Sequence, residues 1–92
     1  MHWDVVEVRA EPNWKLSVRF RDGLTGSVRF TPPYFTGVFE CLRNPEMFAR
    51  VYVDNGAVAW PGEIDLAPDA MYEEIRLHKE WVLSGQPENA VA

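Results

Sequence analysis

The sequence holds one cysteine, Cys41, so an internal disulfide is excluded and a reducing, cytoplasmic setting is expected. No stretch approaches the roughly 20 apolar residues of a membrane-spanning helix. The opening MHWDVVEV lacks a basic segment followed by an apolar one, so no secretory leader is expected. The two histidines, His2 and His78, stand at opposite ends of the sequence, which is no metal-ligand spacing. A glycine-rich phosphate loop, a nucleophile elbow and an EF-hand-like ligand loop are all missing as well. The expectation is therefore no catalytic residue, no cofactor and no metal.

Positive charge is also scarce, and unevenly so. Residues 1–45 carry six Lys/Arg against five Asp/Glu, whereas residues 46–92 carry three against nine. An acidic C-terminal half is a poor match for phosphates; it suits solubility or a basic partner.

What is present is apolar bulk: 47% hydrophobic residues with four Trp, five Phe and three Tyr in 92 residues. That is enough for one small core and one domain, expected over residues 1–83, with SGQPENAVA from Ser84 to Ala92 as a disordered tail. Residues 3–11 read as a strand with Val6, Val8 and Ala10 inward and Val5, Glu7 and Arg9 outward. After a turn at Pro12-Asn13, residues 14–21 alternate most clearly, with Trp14, Leu16, Val18 and Phe20 inward. A two-residue Asp22-Gly23 turn would set core positions against charged ones, because a one-residue slip reverses every side chain. An odd loop or a bulge is required instead, and the expected register places Phe20 opposite Gly26 and Val18 opposite Val28.

Pro32-Pro33 ends the third strand. Residues 34–43 then space Phe35, Val38, Phe39 and Leu42 like a helix, one weakened by Gly37 and so short or irregular. Asn44-Pro45 stops it, and PEMFAR offers one further turn with Met47 or Phe48 in the core. Residues 50–61 form a hairpin about Asn55-Gly56, whose type I′ turn pairs Asp54 with Ala57 and Val53 with Val58. A last helix is expected from Pro68 to Leu83, with Met71, Ile75, His78 and Val82 on one stripe, Leu77 and Trp81 beside it, and Asp65 and Asp69 at its positive end. The fold class is α+β: a small antiparallel sheet, made of a three-stranded meander plus a hairpin, with a short central helix and a C-terminal helix packed on it.

The candidate site residues each have a plain alternative. Arg19, Arg21 and Arg29 form the one basic stripe on the outer sheet face, a docking surface for an anion, a nucleic acid or a partner, or an ordinary solvated face partly neutralised by Glu7. Nucleic acid is disfavoured because Trp14 and Phe20 alternate to the other face. Tyr52, Trp3 and Trp81 exceed what one small core needs and fit a contact patch. His78 has Glu74 one turn away, the minimum for an oriented base in a small enzyme or ligand binder, though packing explains the ring with less. His2 is terminal and expected to be mobile, and Cys41 is expected to be buried and inert.

The order Phe20-Arg21-Asp22-Gly23, then Leu42-Arg43-Asn44-Pro45, then Trp60-Pro61-Gly62 with Asp65-Leu66-Ala67-Pro68-Asp69 resembles domain-of-unknown-function family 2442, a bacterial family, over about residues 3–76. The resemblance implies a small α+β domain and a regulatory, antitoxin-like partner of a neighbouring small protein. It transfers no catalytic residue. Residues and resemblance together lead to a non-enzymatic module that binds a protein partner or a second copy of itself, with no membrane association.

Overall fold

The computed structural model describes residues 1–84; the tail expected to be disordered lies, beyond Ser84, outside the described residues. Seven strands and two helices follow in the order β1 (Val5–Glu11), β2 (Lys15–Phe20), β3 (Thr25–Phe30), α1 (Pro45–Phe48), β4 (Tyr52–Asp54), β5 (Ala57–Trp60), β6 (Ile64–Asp65), α2 (Pro68–His78) and β7 (Glu80–Leu83), with 3₁₀ turns at Pro32–Tyr34 and Gly37–Arg43. They make an α+β fold with two sheets. A four-stranded sheet runs β1-β2-β3-β7 and a three-stranded sheet runs β4-β5-β6.

The meander is present, and its first strand corrects the expected facing. Val5 pairs with Phe20 and Glu7 with Arg19, so Val6 is the extra residue of a β-bulge. Val5 is therefore buried and Val6 exposed, while Val8 and Ala10 beyond the bulge return to the core side. At the β2–β3 turn the required odd loop is found, but it is shorter than expected. Phe20 N–H bonds Leu24 O at 2.8 Å and Gly23 N–H bonds Phe20 O at 2.9 Å, closing a three-residue loop with Gly23 at φ 96°. The register consequently sets Val18 opposite Gly26 and Leu16 opposite Val28, two residues from the expected pairing and on the same face.

Residues 34–43 wind as 3₁₀ turns, consistent with Gly37 at φ 58°. Phe35, Phe39 and Leu42 reach the core; Val38 does not. Asn44 caps α1 by accepting Glu46 N–H at 2.9 Å, and Phe48 is the buried residue of that turn. The Asn55-Gly56 hairpin has the expected pairs, Asp54 with Ala57 and Val53 with Val58, with both turn residues at positive φ. The strand Ile64–Asp65 added beyond it was not foreseen.

The largest correction is at the end of the described chain. α2 stops at His78, where Lys79 turns left-handed (φ 67°) and its N–H returns to Ile75 O at 2.7 Å. Residues 80–83 then form β7, parallel to β3, with Ser27 beside Glu80 and Phe30 beside Leu83. A β-branched and aromatic segment after a left-handed cap prefers extended backbone. Met71 and Ile75 of the expected stripe are buried, whereas His78, Val82 and Leu77 are exposed. The N-cap is Ala67, with no side-chain cap bond, and of Asp65 and Asp69 it is Asp69 that accepts a main-chain N–H, that of Ala70.

Aromatic rings fill the core between the sheets. Phe30 stacks on Phe35 (centroids 5.4 Å) and meets Phe48 and Trp60 edge-on at 5.6 and 6.0 Å. Trp60 is fully buried and its Nε1–H donates to Phe48 O at 2.9 Å, so the polar end of the indole is satisfied.

Candidate interaction surface

The outer face of the four-stranded sheet carries the basic stripe. Arg19 and Arg29 project from β2 and β3 on this face, and each is matched by a carboxylate. Arg19 Nε lies 3.1 Å from Glu7 Oε1, and Arg29 Nε lies 3.3 Å from Glu80 Oε2. Ser17 adds a hydroxyl donated to Glu11 at 3.1 Å. Arg29 sits across from Lys15 and Arg19 across from Thr25, so the two arginines are offset by four residues along the strand direction, about 13 Å of backbone. Arg21 lies past the end of β2, with its guanidinium 3.6 Å from Asp4. The stripe is thus a row of exposed, individually paired ions, each contributing little. A shallow depression of about 310 Å³ lies between Glu7, Arg9, Ser17, Arg19 and Thr25.

Tyr52 belongs to the other sheet, on β4, and is exposed. Trp81 sits on β7, half-buried against the core. The five residues singled out in the sequence therefore occupy two sheets and do not converge. Trp3 is half-buried, and His2 is placed edge-on to Trp3 and Tyr72 with centroids 5.0 Å from each. His78 is exposed in the last turn of α2. Cys41 is exposed rather than buried, because the 3₁₀ winding turns residue 41 outward while Phe39 and Leu42 point in; its thiol donates weakly to Val38 O at 3.8 Å.

Perturbed acidities occur in exposed pairs and mark no cleft. The Tyr72 hydroxyl donates to Asp22 at 2.5 Å, which holds the Asp22 carboxyl below its usual range and raises the tyrosine. Glu73 is lowered, and Arg76 raised, by their own hydrogen bond one turn apart on α2. Among the described residues no group of three or more His, Cys, Asp and Glu is arranged to hold a metal, and no helix is long and apolar enough to cross a membrane.

The feature hidden from sequence reading is the margin of β7. Lys79 O and Leu83 O accept from Ser27 and Thr31 of the β3 side. By the alternation of a parallel ladder, the N–H and C=O groups of Glu80 and Val82 point the other way, off the sheet. Beneath this margin, on the core side, lies a groove of about 250 Å³ lined by Tyr34, Phe39, Leu66, Ala70 and Trp81, with Asp65 on its rim. A signal existed in Trp81-Val82-Leu83, a bulky apolar triplet following Lys79-Glu80.

The family match decides what this architecture belongs to, for it covers residues 5–76, nearly all the ordered elements. The chain belongs to the DUF2442 family. Its description is a protein of unknown function. The match ends inside α2, so β7 of this DUF2442 domain lies past it. No curated protein and no solved structure matches the chain.

Proposed function

We propose that this DUF2442 domain is a non-enzymatic interaction module of the reducing cytoplasm, a regulatory, antitoxin-like partner that docks another small protein. The observation that carries the reading is the margin of β7, the end strand of its sheet, on which no further strand pairs among the described residues. Two residues there, Glu80 and Val82, turn their main-chain donors and acceptors away from the sheet, and unpaired edges recruit strands. The dispersal of the titratable groups supports the same reading, since His78, Cys41 and the arginines stand apart and exposed. Nucleic-acid binding through Arg19, Arg21 and Arg29 has less support, because Glu7, Asp4 and Glu80 already sit against those cations.

The test is capture from native cells, identification of the captured protein and reconstitution from purified components, with mass read by light scattering. A stoichiometric complex that Val82→Pro weakens is expected, since proline deletes an outward donor and spares the bonds to β3. A purified protein that stays monomeric with no reconstitutable partner counts against the module. Binding that instead tracks duplex DNA and collapses with salt assigns the arginine face.

A further inference from the structure

The groove under β7 specifies what the docked segment looks like. Its volume, about 250 Å³, lies below the ~300–1,000 Å³ of metabolite and cofactor sites and suits one large side chain. Its walls are Tyr34, Phe39, Leu66, Ala67, Ala70 and Trp81. Cross-strand neighbours share a face of a sheet. A residue opposite Trp81 on an added strand therefore presents its side chain on the side where Trp81 lines the groove.

Charge selects the rest of the ligand. Asp65 borders this groove and also a second cleft of about 260 Å³, with Tyr52, Asp54 and Glu63. No ion pair or side-chain hydrogen bond engages Asp54, Glu63 or Asp65 among the described residues. The apolar slot thus has one uncompensated carboxylate, Asp65, on its border, and Asp65 also lines the neighbouring cleft with Asp54, Glu63 and the exposed Tyr52, a ring face on which a guanidinium stacks well. Residues 85–92, GQPENAVA, hold a glutamate and no lysine or arginine, so they carry none of the positive charge this face selects.

We infer that the β7 margin takes an extended segment of a partner protein, with an aliphatic or aromatic anchor in the Trp81–Ala70 groove and a Lys or Arg close by on the Asp65 side. This rests on the interaction-module reading and adds the location and chemistry of the contact.

A random peptide library displayed on phage and panned against the intact protein tests it. The expected consensus is one large apolar residue with a basic residue within a few positions. Ala70→Gln fills the slot at an exposed helix position without changing charge, and should weaken the selected synthetic peptides about tenfold or more, as loss of an anchor does. Asp65→Asn changes charge without shape and should weaken them about threefold, an effect that vanishes in high salt. Unchanged circular dichroism shows that both variants are folded. Peptides that enrich but ignore both substitutions overturn this site and leave the module reading standing. A neutral or acidic consensus, failure of any peptide to enrich, or a homodimer that Ala70→Gln dissolves, also overturns it; the module itself stands or falls on the reconstituted complex.

Discussion

The main-chain N–H of Val5 donates to the carbonyl of Gly56 at 2.8 Å, tying the first residue of β1 to the tip of the β4–β5 hairpin. Asn55-Gly56 is thus both the turn that sets one sheet's register and the point where that sheet is fastened to the other. Gly56 is at φ 82°, and a Cβ there would come 2.7 Å from Asp4 Oδ1. Gly56→Ala meets backbone strain and a collision together, and is expected to cost about 2–3 kcal/mol. Chemical denaturation measures it; a loss below that of an ordinary surface substitution would show that the two sheets are not joined here.

Gly26 makes the contrast with Gly23. A Cβ at Gly26 would lie 2.4 Å from Ile75 Cγ2 and 2.7 Å from Lys79 O, whereas Gly23 has open space but φ 96°. Gly26 is what lets the end of α2 approach β3, and with it the left-handed cap that launches β7. Gly26→Ala should cost about 1–3 kcal/mol by overpacking and also loosen the β3–β7 ladder. Gly23→Ala should cost about 1–2 kcal/mol through its backbone alone. Amide exchange at Trp81 and Leu83 separates the two, rising ahead of global unfolding only for Gly26→Ala.

Tyr72 and Asp22 make stability depend on pH in a stated direction. The Asp22 carboxyl is lowered by the tyrosine hydroxyl, so its contribution is present above the usual carboxylate range and is lost as pH falls through the depressed value. Tyr72 is raised, so its share is present below the usual phenol value and is lost as pH rises through the higher one. Tyr72→Phe should therefore lower the urea midpoint near neutrality, by a difference that shrinks at about pH 3. An equal difference at both pH values would leave the pair with no ionic character.

Cys41 should react in the folded protein. Its exposure predicts stoichiometric labelling by a thiol reagent under native conditions, with no accompanying loss of the near-ultraviolet signal of the Trp60 core. Labelling that requires denaturant would put the thiol inside.

Much of the fold could be read before the structure. The Asn55-Gly56 register followed from turn chemistry and hydrophobic pattern together, and the odd loop after Phe20 followed from the need to keep Leu16, Val18, Val28 and Phe30 on one face. What was illegible depends on non-local pairing. The bulge at Val6 leaves the composition of β1 unchanged and shows only in its pairing with β2, beside the tie from Val5 to Gly56. Trp81 and Val82 fit a helical wheel as well as they fit a strand, and Lys79 lacks the glycine that usually announces a left-handed stop. The surface groove was hidden for the same reason, because its walls come from the 3₁₀ turns, the β6–α2 connection, α2 and β7. The arginines were legible as a stripe, but Glu80, on a strand not foreseen, is what occupies Arg29.

Glu80 follows Arg29 by 51 residues. On the ribosome the meander emerges early, and the β3 flank that β7 will cover stays bare until nearly all the rest of the described domain has been made. Closure of such a distant contact is slow relative to local turns, which makes β7 the late arrival and leaves β3, meanwhile, open to a wrong neighbour.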